Sequence, residues 1–127
     1  MRYMLLLMIF PLLSFGECRN KKNKTTAVDE KIELIDSLPL CIRKLIDESN
    51  KETPPNPPVK IDAYFYHDKT VYLVTAQCCD FFNMVYDENC KIICAASGGI
   101  TGKGDGKCED FSKTAKHVKL VWEKEKQ

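Results

Sequence analysis

The chain has 127 residues, 44% of them apolar and 29% charged, with a formal net charge of +1. That length holds one domain and that composition excludes wholesale disorder, a collagen-like repeat and a polytopic membrane protein. Near-neutrality argues against an electrostatic nucleic-acid binder, which needs a clustered basic excess. The unusual feature is seven cysteines, all C-terminal to residue 17.

In chain order, Arg2, the apolar stretch Met4 to Leu13 and Ser14-Phe15-Gly16 have the layout of an export signal over residues 1–16, with small residues at −3 and −1. The apolar run is too short for a membrane span, which needs roughly 20 residues. Cys18 offers a second route, lipidation as an envelope lipoprotein, although Glu17 fits poorly before it. Consuming Cys18 would leave an even cysteine set. Residues 17–27, with Arg19, Lys21, Lys22 and Lys24, read as a flexible leader. Residues 28–127 then form a single domain.

Helical order is expected from about Thr26, whose spacing to Asp29 suggests a capping box, with Val28, Ile32 and Ile35 at helical intervals. Pro39 interrupts it. Leu38, Cys41, Ile42, Leu45 and Ile46 resume an apolar stripe to about Ser49, which predicts a second or kinked helix. The proline-rich segment from Thr53 to Pro58 is a stiff joint. Beyond it, Val59, Ile61, Ala63 and Phe65 alternate with Lys60, Asp62, Tyr64 and Tyr66. After the turn His67-Asp68-Lys69, Val71, Leu73 and Thr75 alternate with Tyr72 and Val74. The pattern predicts a β-hairpin with one apolar face and one face bearing tyrosines. Phe81 to Tyr86 and Lys91 to Cys94 predict a strand pair, and Val118, Leu120 and Trp122 a last strand. Helices first and antiparallel strands afterwards give an α+β fold, a helix or kinked helix pair on a small antiparallel sheet.

In an exported chain the cysteines are first of all staples. Cys41, Cys78, Cys79, Cys90, Cys94 and Cys108 are the disulfide candidates. Neighbouring Cys78 and Cys79 point to opposite faces and should reach two different partners downstream; pairing either Cys94 or Cys108 back to them would fix the glycine-rich segment against the sheet, and since six cysteines allow 15 connectivities none is assigned. A zinc site built on Cys90-x3-Cys94 and the vicinal pair lacks paired C-x2-C knuckles, so no metal and no other cofactor is expected.

Cys78-Cys79-Asp80, then Val85-Tyr86-Asp87, Ile93-Cys94 and Gly98-Gly99-Ile100-Thr101-Gly102-Lys103-Gly104-Asp105-Gly106-Lys107-Cys108 carry a resemblance. Over about Val59 to Phe111 the chain looks like a family of small exported bacterial proteins, many with lipoprotein or secretory leaders, that share a domain of unknown function. The CCD and GGxTGxGDGxC elements are its specific part. The resemblance implies an exported, cysteine-bearing domain and brings no catalytic residues. Ala95-Ala96-Ser97 stands where the resemblance implies a proline after the cysteine.

The glycine-rich loop is the main functional candidate. Gly98, Gly99, Gly102, Gly104 and Gly106, with Thr101, Lys103 and Asp105, could form a recognition surface or an anion nest, or simply a rigid Ω-loop. It is no Walker A loop, since no Lys-Ser/Thr pair opens a helix after Gly102-Lys103. Calcium, which takes six to eight oxygens, has only Asp105 in the loop, with Glu109 and Asp110 beyond it. Enzyme chemistry finds little support. Its alternative form here is thiol redox exchange at Cys78 and Cys79, which no C-x2-C motif accompanies. The sequence therefore predicts a secreted or envelope-associated interaction domain that displays the Cys94 to Cys108 loop beside Tyr64, Tyr66 and Tyr72. Its expected partner is an extracytoplasmic protein or envelope component, not nucleic acid, with a membrane involved only if Cys18 is lipidated. Replacing Gly102 and Gly104 by alanine is expected to leave the hairpin and helices folded.

Overall fold

The computed structural model describes residues 34–51, 55–78 and 80–125. The export signal, the leader, the Thr26 helix start, Cys18 and Cys79 lie outside the described residues, as do Thr53 and Pro54 of the proline joint.

The first helical turn, over 34–36, closes with the Leu38 N–H on the Ile35 carbonyl at 3.1 Å. Pro39, at φ −53° and ψ 145°, leaves the helical region and becomes the N-cap of α1 (Leu40–Asn50). Its carbonyl accepts from the N–H groups of Ile42 and Arg43. A proline has no N–H to lose at this boundary, so the break falls there at little cost. The expected stripe does face the core: Leu38, Ile42 and Ile46 are buried, with Cys41 and Leu45 packed beside them. Ser49 ends the stripe and donates its hydroxyl to the Pro58 carbonyl at 2.6 Å, tying the helix to the start of the sheet.

The sheet comprises β1 (Pro58–Tyr66), β2 (Lys69–Ala76), β3 (Phe82–Asp87), β4 (Ile92–Gly98) and β5 (Lys116–Glu123) in the order β4-β3-β2-β1-β5. Every neighbouring pair is antiparallel. The first four strands form a meander. The chain then crosses back through the connector 99–115, which includes the short helix α2 (Phe111–Thr114), to lay β5 against the free side of β1.

Both faces of the sheet are covered. Under α1 lie Ile61, Ala63, Tyr72, Val74, Val121 and Trp122. The opposite face packs Tyr66, Val71, Val85 and Cys94 against Cys108 and Phe111 of the connector, with Tyr64 and Leu73 at its margin. This corrects the hairpin reading. Ala63 pairs with Tyr72 and Tyr64 with Val71, so Tyr72 lies on the helix face, opposite to Tyr64 and Tyr66. Tyr66 is only 5% exposed and Tyr72 only 8%, so neither belongs to a displayed tyrosine face. Phe65, read as core, is exposed instead.

The last strand also departs from its alternating pattern. Ile61 pairs with Trp122 and Asp62 with Leu120, while Ala63 pairs with Lys119 and Tyr64 with His117, so β5 carries extra residues at Val121 and Val118. Each bulge shifts the side-chain alternation by one. Val121 and Trp122 are therefore both buried, while Val118 and Leu120 are left exposed.

Candidate functional site

The glycine loop leaves β4 at Gly98 and folds back on itself. The Gly98 N–H donates to the Gly102 carbonyl at 3.2 Å, Gly102 to Gly99 at 2.9 Å and Gly104 to Gly98 at 3.1 Å. Two further bonds seat the loop on the sheet, Gly99 N–H to the Phe81 carbonyl at 3.3 Å and Asp105 N–H to the Ala95 carbonyl at 3.1 Å. Lys103 N–H reaches Thr101 Oγ1 at 3.4 Å, and Lys107 N–H reaches Asp105 Oδ1 at 3.1 Å. These donors are turned inward, which takes from an anion nest the N–H groups that would hold a ligand. Asp105 is likewise committed. The Lys107 N–H is the main reason its carboxyl sits below the usual carboxylate range, and the Lys107 ammonium lies 3.7 Å away.

Two glycines show what the geometry demands. Gly104 sits at φ +74°, where a Cβ would run into the Ala95 carbonyl oxygen. Gly102 has φ +72° and open space where its side chain would be. Only glycine meets the demand at Gly104 without displacing backbone. Between the loop and α2 an open groove of about 570 Å³ is lined by Ser97, Lys103, Glu109 and Ser112 together with loop glycines.

The disulfides close this unit. Cys94 bonds Cys108 across the loop, with Cα atoms 6.1 Å apart, and Cys41 of α1 bonds Cys90 of the β3–β4 turn, with Cα atoms 5.6 Å apart. Cys94 and Cys108 thus pair with each other and not with Cys78 or Cys79. The physical reason is that the connector returns across the face of the sheet into which Cys94 is packed, bringing Cys108 directly over it. Cys90 and Cys94 go to separate partners, which dissolves the Cys90-x3-Cys94 metal set. Cys78 is exposed.

At the tip of the loop stands a residue that periodicity could not flag. Ile100 is 97% exposed, and Phe81 and Phe82, at 48% and 43%, lie exposed on the strand segment beside it. The Phe82 ring packs under Gly99, and a recess of about 440 Å³ is lined by Asp80, Phe82, Ile100 and Thr101. The available signal was chemical: an isoleucine among glycines and lysines has no core to fill, and two consecutive phenylalanines cannot both point into a sheet.

Tyr64 and Tyr66 do meet each other's surroundings, but beneath a cover. The Phe111 ring lies 5.2 Å from Tyr64 and 5.0 Å from Tyr66. The Tyr66 hydroxyl donates to Asp110 Oδ1 at 2.6 Å, and burial followed by this bond pushes the phenol up to about 12. Burial likewise raises Tyr72. Asp110 is held below the usual carboxylate range, first by the Tyr66 hydroxyl and then by His67, whose Nε2 lies 3.0 Å from Oδ2. His117 makes a similar pair with buried Asp62 at 3.0 Å, shared with the Lys60 ammonium at 2.9 Å. Both pairs join separate chain segments, Asp110 to the β1–β2 hairpin and Asp62 to β5, and so serve as structural ties.

A family model described as "Domain of unknown function (DUF6970)" matches residues 47–124, and the chain belongs to that family. The matched span runs from the last turn of α1 through β5, taking in the whole sheet, the glycine loop and the Cys94–Cys108 bridge. Cys41 lies before it, so the second bridge joins a flanking helix to the family's unit. No curated protein and no solved structure matches the chain.

Proposed function

We propose that this chain is an extracytoplasmic, disulfide-stabilised interaction domain whose contact surface is the loop tip, Ile100 flanked by Phe81 and Phe82. The observation that carries the reading is the contrast within one loop: a backbone bonded inward and closed by a disulfide, presenting an isoleucine that is 97% exposed. Burying such a side chain in a partner's pocket is worth about 1.5–3 kcal/mol. A loop already ordered by its own hydrogen bonds loses little entropy on docking. Disulfides persist in oxidising compartments, which supports a location outside the cytoplasm and, with it, a protein or envelope component as partner. The displayed set replaces the tyrosines with Ile100, Phe81 and Phe82, and keeps Thr101, Gly102 and Lys103 as the rim.

Site-specific photo-crosslinking in producing cells tests the proposal. A benzophenone side chain at position 100 should give a discrete adduct that the same probe at Lys44, exposed on α1, does not give. Identical adduct patterns from the two positions would refute a specific tip surface.

A further inference from the structure

A cleft lies at the other end of the sheet, away from the glycine loop. The β1–β2 and β3–β4 turns stand side by side there and leave a cleft of about 340 Å³ between them. Its floor is apolar, with Val71 buried beneath and Ile92 and Ile93 at the side. Its rim carries Lys69 and Lys91. Among the described residues neither ammonium group enters an ion pair. The carboxylate in the cleft, Asp87, is oriented by the turn, accepting the N–H groups of Asn89 and Lys91 on Oδ1 at 2.9 Å each, and its single negative charge stands against the two positive charges of Lys69 and Lys91. His67, also on the rim, is held by Asp110.

The two turns that flank the cleft carry left-handed residues. His67 and Asp68 occupy both central positions of the β1–β2 turn at φ 47° and 60°, and Cys90 in the β3–β4 turn is at φ 67°. Positive φ at both central residues is what a two-residue type I′ hairpin turn requires, and the surrounding structure holds these residues in it. Here the imposing bonds are visible. The His67 ring stacks on Tyr66 at 3.9 Å and bonds Asp110, and Cys90 is fixed by its disulfide to Cys41. A β-bulge shapes the cleft itself. Tyr86 pairs with Ile92 and Val85 with Cys94, so Ile93 is the extra residue of a β-bulge and the two isoleucines can share the cleft wall.

We propose that this cleft binds a small amphipathic carboxylate, its charge between Lys69 and Lys91 and its apolar body on Val71, Ile92 and Ile93. The volume lies at the small end of the range for small-molecule sites, about 300–1,000 Å³, and the lining sets an apolar patch, Val71, Ile92 and Ile93, beside the charged residues Lys69, Lys91 and Asp87. Two sources share that chemistry, a short fatty acid and the C-terminal carboxylate of a peptide ending in apolar residues.

Methyl and amide NMR of the oxidised full chain tests it, with hexanoate and acetyl-Gly-Leu-Leu as probes and hexanamide and the amidated peptide as uncharged controls. At least one acid should shift the Val71, Ile92 and Ile93 signals at concentrations up to about 10 mM while its amide does not. Shifts with hexanoate alone identify the fatty acid as the source, and shifts with the peptide alone identify the chain terminus. Lys69→Glu with Lys91→Glu should weaken that binding by about tenfold or more without moving the thermal melt, since both side chains are exposed. No shift with either acid, equal shifts with acid and amide, or unchanged affinity in the charge-reversed variant would overturn the proposal.

Discussion

Gly102→Ala and Gly104→Ala, compared as single variants, separate a framework loop from a merely flexible one. Both positions have nearly the same φ, +72° and +74°, so both variants meet the left-handed penalty of an L-residue, about 1–2 kcal/mol. At Gly102 nothing lies within 4 Å of the new methyl group, and the cost should stop there. At Gly104 the methyl meets the Ala95 carbonyl oxygen and stands 3.0 Å from the Ala96 carbonyl carbon, both backbone atoms of β4. Relieving the clash moves the loop off the strand and strains the Asp105-to-Ala95 and Gly104-to-Gly98 hydrogen bonds. Each such bond is worth about 1 kcal/mol and overpacking costs about 1–3 kcal/mol, which places Gly104→Ala at about 4 kcal/mol or more. That is a large fraction of a stability of about 5–15 kcal/mol. In urea unfolding of the oxidised protein, Gly102→Ala should shift the midpoint modestly and Gly104→Ala should remove much of the transition. Two variants that agree to within about 0.5 kcal/mol would refute the framework reading. The double variant, which the sequence alone expects to stay folded, should be destabilised through the clash at Gly104.

Two further outcomes follow from the staples and the buried phenol. The Cys41–Cys90 bridge spans 49 residues and Cys94–Cys108 spans 14, so the chain-entropy relation gives about 4 and 3 kcal/mol respectively. Urea melts of the paired Cys→Ser variants should show that order, and a larger loss from Cys94→Ser with Cys108→Ser would show that contacts, not loop entropy, dominate. Tyr66, raised from 10.0 to about 12, contributes stability that is fully present below pH 10 and is lost as the pH rises through about 12. Burial also raises Tyr72 and Tyr86, so phenolate absorbance during alkaline titration should show several tyrosines above the ordinary value, with a step near 12 that disappears in Tyr66→Phe; a titration without that step would contradict the buried pair with Asp110.

The strands and the core stripe of α1 were legible because each rests on a local period. Ile42 and Ile46 repeat at helical spacing, and Ile61 and Ala63 alternate along β1, whatever the rest of the chain does. The faces were harder. Alternation says that Tyr64 and Tyr66 share a side of β1 without saying whether that side meets water or a second cover, and tyrosine suits either. Cover came from Phe111, some 45 residues downstream in a connector with no period of its own. Tyr72 was misplaced by register, because pairing Ala63 with Tyr72 sends it to the helix side. The bulges at Val118 and Val121 hid the same way, since an extra residue in β5 exists only relative to β1. The pairing of Cys94 with Cys108 depended on that same return of the connector across the sheet.

The arrangement of the staples follows from how little each cover can hold by itself. The eleven-residue α1 shields one face and the four-residue α2 anchors the cover of the other, and helices this short are marginal without tertiary packing. Each cover therefore has a covalent tie to the meander: α1 through Cys41 to the β3–β4 turn, the connector through Cys108 to β4. Each also has a polar one, the Ser49 hydroxyl on the Pro58 carbonyl and the Asp110 carboxylate on Tyr66 and His67. With Gly98, Gly99, Gly104 and Asp105 bonded to one another and to the sheet, and Cys108 fastened beyond them, the turn through Ile100 is left standing clear of both cores. A side chain of that size and exposure gives nothing to folding, so its energetic value is available only to a contact made after the domain has formed.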